Sequence, residues 1–266
     1  MTPDPAAAEH VRSADGTSIA FWRSGRGRPL VALHGATTDH SAWDGARPAL
    51  ERVATLIAVD RRGHGASDQG PATHSLDQEV ADLGAVVAAC PPAVDVLAHS
   101  YGGLVALEAA RGGLPIGRLV LYEPSIDDDP QFPAIVERIR ELLDEGQTER
   151  AAEALLVERS GVPAEAIAAI RELPLWPIVL RGVQALPREG AAMIGYRFEP
   201  ERLAQLTIPT LVLLGEESPG WRQEAMHALH NALPHSELRI LPGQGHLATH
   251  TAPELLAREI IGFLDR

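Results

Sequence analysis

Short, mostly apolar runs, each cut off by glycine, proline or charge and each followed by a helical stretch, constrain this chain more than any other feature. They are Pro29–Leu33, Thr55–Val59, Val94–Ala98, Leu119–Tyr122, Thr210–Leu214 and Leu238–Leu241. A strand that is apolar at nearly every position buries both of its faces. Such strands alternating with helices build a mostly parallel sheet covered by helices on both sides. Helical patterns fall around Asp39–Arg52, over Ser75–Ala89, from Leu104, up to Asn231, and over Ala252–Leu264. Ser75 reads as the cap of its helix, with Glu79 as its reciprocal partner one residue late for the ideal box. Asp15-Gly16 between short strand-like runs in Val11–Arg23 predicts a hairpin.

The pattern changes after Pro124. From Ser125 to Leu206 there is no strand run, only amphipathic pieces at Ile135–Leu143, Glu149–Val157, Ala164–Leu173 and Pro177–Leu186, punctuated by prolines. The expected organisation is a core from 1–124 and 207–266 interrupted by an all-helical segment, 125–206. An insertion between strands of a parallel sheet sits naturally as a lid, because the carboxyl ends of those strands face the ligand crevice.

Composition removes several functions. A net charge of -13 over 266 residues lacks the basic footprint that nucleic acid or an anionic membrane requires. The chain contains no lysine, which removes Schiff-base chemistry and lysine-dependent phosphate loops. With Cys90 as the single cysteine, no internal disulfide or thiolate cluster can form, and a buried spectator thiol is expected. Met1–Glu9 has no apolar core, so it does not read as a signal peptide, and no apolar stretch approaches the roughly 20 residues of a spanning helix. A cytoplasmic protein is expected. His227 and His230, the best-spaced metal pair, have no third partner and read as helix surface. No dinucleotide fingerprint follows a strand, so no cofactor is implied.

Ser100 lies in Val94-Asp95-Val96-Leu97-Ala98-His99-Ser100-Tyr101-Gly102-Gly103, where a strand breaks into a small-x-Ser-x-Gly turn and a helix follows at once. A turn that tight exposes the hydroxyl and needs small flanks, here Ala98 and Gly102. With His34-Gly35-Ala36, Asp60-Arg61-Arg62-Gly63-His64-Gly65 and Gly243-Gln244-Gly245-His246, the chain resembles the α/β-hydrolase superfamily, of the serine esterase and lactonase type with a helical lid. The resemblance covers almost everything except the lid sequence. It implies Ser100 as nucleophile, His246 as base on the loop after the last strand, and an oxyanion hole from the N–H groups of Ala36 and Tyr101. His250 is the fallback base. His99 and His64 match structural positions.

The acid departs from the family pattern. The usual aspartate, three residues after Gly215, is Ser218 in Gly215-Glu216-Glu217-Ser218-Pro219. Glu123, closing the strand next to the elbow, can supply the charge; one group of haloalkane dehalogenases and the zearalenone-type lactonases, which this chain resembles in fold, place their acid at this strand. Glu216 or Glu217 could reach in from the usual loop, or Ser100 and His246 could work as a dyad. Among the lid's larger apolar residues, Trp176 is expected to line the pocket.

The expectation is therefore a cofactor-free, metal-free serine hydrolase, monomeric or homodimeric, acting on a small, fairly apolar ester or lactone. Its rivals are a carbon–carbon hydrolase or a lyase or cyclase of the same fold, and a small-molecule receptor without catalysis.

Overall fold

A computed structural model describes residues 7–126 and 129–266. Its strands are β1 (Glu9–Arg12), β2 (Ser18–Gly25), β3 (Arg28–Leu33), β4 (Ala54–Val59), β5 (Val94–His99), β6 (Ile116–Tyr122), β7 (Thr210–Gly215) and β8 (Ser236–Leu241). They form one eight-stranded sheet in the order β1-β2-β4-β3-β5-β6-β7-β8. β1 with β2, and β2 with β4, pair antiparallel, and every other pairing is parallel. The helices are α1 (Arg47–Leu50), α2 (Leu76–Ala88), α3 (Ser100–Arg111), α4 (Phe132–Asp144), α5 (Thr148–Ala154), α6 (Ile167–Arg171), α7 (Trp176–Gly182), α8 (Leu186–Gly195), α9 (Gly220–Ala232), α10 (Ala248–Thr251) and α11 (Pro253–Leu264).

The central strands feed two cores, because successive side chains leave opposite faces of a strand. Val31, Val96, Leu121 and Val212 pack with α2, α3 and α9, while Leu30, Leu97, Val120 and Leu211 pack with Trp43 and α11. This is the mostly parallel, helix-covered sheet that the apolar runs predict. Among the described residues no helix is long and apolar enough to cross a membrane.

Several local readings need correction. Ser75 caps α2 through a capping box with Gln78, each side chain meeting the other's backbone N–H. Glu79 instead turns inward, where both of its oxygens accept from Arg61 Nη1 at 3.0 Å. Asp39–Arg52 is a capped 3-10 turn followed by the short α1 rather than one helix. Cys90 is half-buried. Pro187 does not end a helix but lies in the first turn of α8, where its missing N–H costs nothing.

Between β6 and β7 the described residues contain no strand. Their helices hold an apolar cluster of their own around Ile139, Leu156, Trp176 and Val183. The insertion is tied to the sheet by charge. Glu189 of α8, fully buried, accepts from Arg61 at 2.9 Å and bonds His64 Nε2 at 2.7 Å. Arg188 donates to the Arg62 carbonyl at 3.1 Å.

Candidate active site

Ser100 is the residue at which β5 ends and α3 begins, and its φ is +52°, in the left-handed region that a side chain rarely adopts. The turn demands glycine at 102, since a Cβ there would stand 2.4 Å from the His34 carbonyl. Two backbones therefore cross with only a hydrogen between them, and the Ser100 hydroxyl is held out from the strand end.

His246 is brought to it by the loop after β8. Its Nε2 lies 3.1 Å from Ser100 Oγ and its Nδ1 lies 2.6 Å from Glu123 Oε2. Three contacts fix that loop. His99 Nε2 bonds the His246 carbonyl at 3.0 Å, Tyr122 donates its hydroxyl to the Gly245 carbonyl, and the same hydroxyl accepts the Ala248 N–H at 3.2 Å. Burial holds the His246 imidazole well below its ordinary pKa, and the guanidinium groups of Arg222 and Arg159 push the same way. A neutral ring with Nδ1 donating to Glu123 leaves Nε2 as an acceptor for the serine proton.

Glu123 follows β6 with φ +43°, and its side chain is completely enclosed. Its Oε1 accepts the Gly215 N–H at 2.8 Å and the Ser218 hydroxyl at 2.5 Å. Oε2 faces His246, with Arg222 Nη1 at 3.7 Å. Glu216 is engaged elsewhere, accepting the Gly243 N–H at 2.8 Å in an exposed setting.

Ala36 lines the same cavity as Ser100. Its loop is pinned from below by Arg61, whose Nε donates to the His34 carbonyl at 3.1 Å and Nη2 to the Gly35 carbonyl at 3.1 Å. His34 Nε2 accepts the Arg61 N–H at 3.0 Å, and burial keeps its ring neutral. The Tyr101 N–H lies in the first turn of α3, where backbone donors have no helical acceptor and the helix dipole adds to them. Its side chain is buried beneath the Arg61 guanidinium, which lies 4.8 Å from the ring centroid.

The cavity over Ser100 has a volume of about 140 Å³, room for a small acyl group. The apolar part of its wall is drawn mainly from the insertion, with Phe132, Leu155, Leu156, Leu175, Val179 and Met193 prominent. Trp176 is not among the lining residues, contrary to expectation. The prolines around it mark the start of α7, not a break, and Trp176 joins Val179 and Val183 on the stripe that packs inside the insertion. His250 lines the cavity, yet the imidazole bonded to Ser100 is that of His246. His64 is committed to Glu189.

Four contributors escaped the sequence reading. Ser125 places its hydroxyl 3.3 Å from Ser100 Oγ and its N–H on the Ser100 carbonyl at 3.0 Å. Ser218 serves Glu123. Arg222 and Arg159 line the cavity, both buried, with Arg159 at the end of a π turn over Leu155–Arg159 and stacked on Phe132 and Trp221. An arginine in an amphipathic helix reads as solvent-facing, so no sequence signal pointed to them. Asp39, His40 and Asp60 also converge, but Asp60 already accepts the His40 N–H and Nδ1 on one oxygen and the Ala66 N–H on the other.

With this fold and geometry in view, the chain belongs to the alpha/beta hydrolase family, whose model matches residues 30–259. An alpha/beta hydrolase from Sphaerobacter thermophilus has the same fold, with a TM-score of 0.84 and 32% identity over 96% of this chain and 100% of its own. An esterase from Rhodococcus sp. ECU1013 follows at a TM-score of 0.81 and 26% identity, covering 97% of this chain and 98% of its own. The chain is also 26% identical to a non-heme chloroperoxidase from Burkholderia pyrrocinia, over 96% of this chain and 99% of the relative.

Proposed function

We propose that this protein is a cofactor-free serine hydrolase that cleaves small, fairly apolar carboxylic esters or lactones through an acyl-enzyme, working in the cytoplasm beneath a helical lid. The observation that carries the reading is the unbroken path from Ser100 Oγ through His246 to Glu123, at 3.1 Å and 2.6 Å. A serine hydroxyl is a weak nucleophile until a base takes its proton, and a neutral imidazole within hydrogen-bond reach does that.

Ser100 Oγ attacks the substrate carbonyl carbon while its proton passes to His246 Nε2. The oxyanion is held by the N–H groups of Ala36 and Tyr101, donors fixed before charge develops. Collapse expels the alcohol, which takes the proton back from His246. Water then attacks the acyl-enzyme with His246 again as base, and Ser100 leaves as the free hydroxyl. Glu123 orients the imidazole and stabilises its charged form. The apolar wall of the cavity and the similarity to an esterase support a small acyl ester over a substrate rich in phosphate.

Two measurements test this. A fluorophosphonate is expected to label Ser100 in the folded protein and not after unfolding. Absence of labelling, with the cavity shown open by ligand uptake, would favour a receptor. Kinetics on matched 4-nitrophenyl esters, lactones and acyl-CoA thioesters are expected to rank the thioesters last, and a clear preference for them would sink the substrate class.

A further inference from the structure

We infer that Ser218 is a positioning residue for the Glu123 carboxylate, an inference that rests on Glu123 being the acid of the proposed hydrolase. The loop after β7 carries Glu216 and Glu217 on its exposed side, yet the side chain it turns inward is a hydroxyl, only 3% exposed. That hydroxyl donates to Glu123 Oε1 at 2.5 Å, beside the Gly215 N–H at 2.8 Å. Two donors converging on one oxygen fix the rotation of the carboxylate about its last bond, and the other oxygen then faces His246 Nδ1.

The need for such a holder follows from where Glu123 stands. Its side chain has one more rotatable bond than an aspartate, and its backbone, at φ +43°, is in a conformation that its own residue type resists. A long side chain on a strained backbone stays in place only if its far end is tied. Ser218 can be the tie because it is itself fixed. Its N–H donates to the Gly215 carbonyl at 3.1 Å, its carbonyl accepts from Gln223 Nε2 at 2.8 Å, and Pro219 follows. Ser218 thus meets the acid on the side opposite the imidazole, and the site holds two neighbouring places for a carboxylate, one filled by Glu123 and the other by a hydroxyl.

Steady-state kinetics of a 4-nitrophenyl ester on the full chain test this, with thermal melts to confirm folding. Ser218→Ala is expected to lower kcat about tenfold, the size of a lost charge-assisted hydrogen bond, with KM within about twofold. Ser218→Thr, which keeps the hydroxyl, regains most of that loss. A further variant moves the charge. Glu123→Asn shortens the side chain to one that tolerates positive φ, and adding Ser218→Asp to it should recover at least about tenfold in kcat over Glu123→Asn alone. That recovery reports whether a carboxylate at position 218 can serve the imidazole, whereas rescue by Ser218→Thr is the readout that a merely space-filling serine would not produce. Wild-type kcat in Ser218→Ala, or a Ser218→Thr no better than Ser218→Ala, overturns the inference while leaving Glu123 as the acid. An unimpaired Glu123→Asn removes the acid assignment and this inference together.

Discussion

The sheet and the helical insertion divide the candidate site between them, and under the proposed hydrolase reading the division separates chemistry from selection. Every side chain on the path from Ser100 through His246 to Glu123 sits at a strand end or on the loop just beyond one, where the sheet's own hydrogen bonds set its position. The apolar wall over Ser100 comes largely from α4, the π turn, α7 and α8, elements outside the sheet. Strand ends are fixed by a ladder that leaves little room for adjustment, whereas a wall of apolar side chains accepts volume-conserving exchange at modest cost. A reaction needs the first kind of support, and a choice among substrates is better served by the second.

Variants can break or sharpen this division. The largest effect belongs to the sheet side. Ser100→Ala is expected to lower kcat by about 10⁴-fold or more, leaving the residual rate that oxyanion binding alone supports, with an unchanged melting profile. Glu123→Gln keeps size and hydrogen bonding but removes the charge beside His246, and kcat should fall by at least about 10²-fold. Glu216→Gln and Glu217→Gln should each stay within about tenfold, since exposed carboxylates contribute little. A crippled Glu217→Gln beside a healthy Glu123→Gln would reverse the assignment.

On the insertion side, Leu175→Ala opens the cavity wall at a half-buried position. It should shift the ratio of kcat/KM for octanoate over butyrate esters by about tenfold, with fluorophosphonate labelling of Ser100 unchanged. Equal losses on both esters would mean that the insertion supports the chemistry itself. The smallest effect crosses the divide. Burial, Arg222 and Arg159 all disfavour a charged His246, so its neutral, active form persists to lower pH and the acid limb of kcat/KM should lie below about pH 6.5. Arg159→Met, made in the insertion, should raise that limb by less than about one pH unit. A limb that does not move would confine the electrostatic control of the base to the sheet side.

The same division explains what was legible beforehand. Runs such as Pro29–Leu33 and Thr210–Leu214 declare themselves because burial on both faces leaves no polar position. The elbow around Ser100 declares itself because the tight turn forces small neighbours at fixed spacing. Even a candidate for the displaced acid could be sought, since Ser218 cannot carry a charge and Glu123 closes the adjoining strand. Trp176, α8 and the inward arginines could not be read. Which way Trp176 points depends on where α7 starts, and Pro187, read as punctuation after Leu186, instead stands in the first turn of α8. Arg159 and Arg222 are inward only because Phe132, Trp221, Asp129 and Glu123 meet them in three dimensions.

The tie made by Glu189 has a consequence for how the molecule comes apart. Peeling the insertion away would separate Arg61 and His64, both buried in the closed molecule, from Glu189 and leave only Glu79 opposite Arg61. Loss of one member of a buried ionic group costs several kcal/mol, on the order of 3–5. Partial opening of the insertion at α8 therefore carries a cost, and the two regions are expected to melt in one transition, with circular dichroism and tryptophan fluorescence changing together.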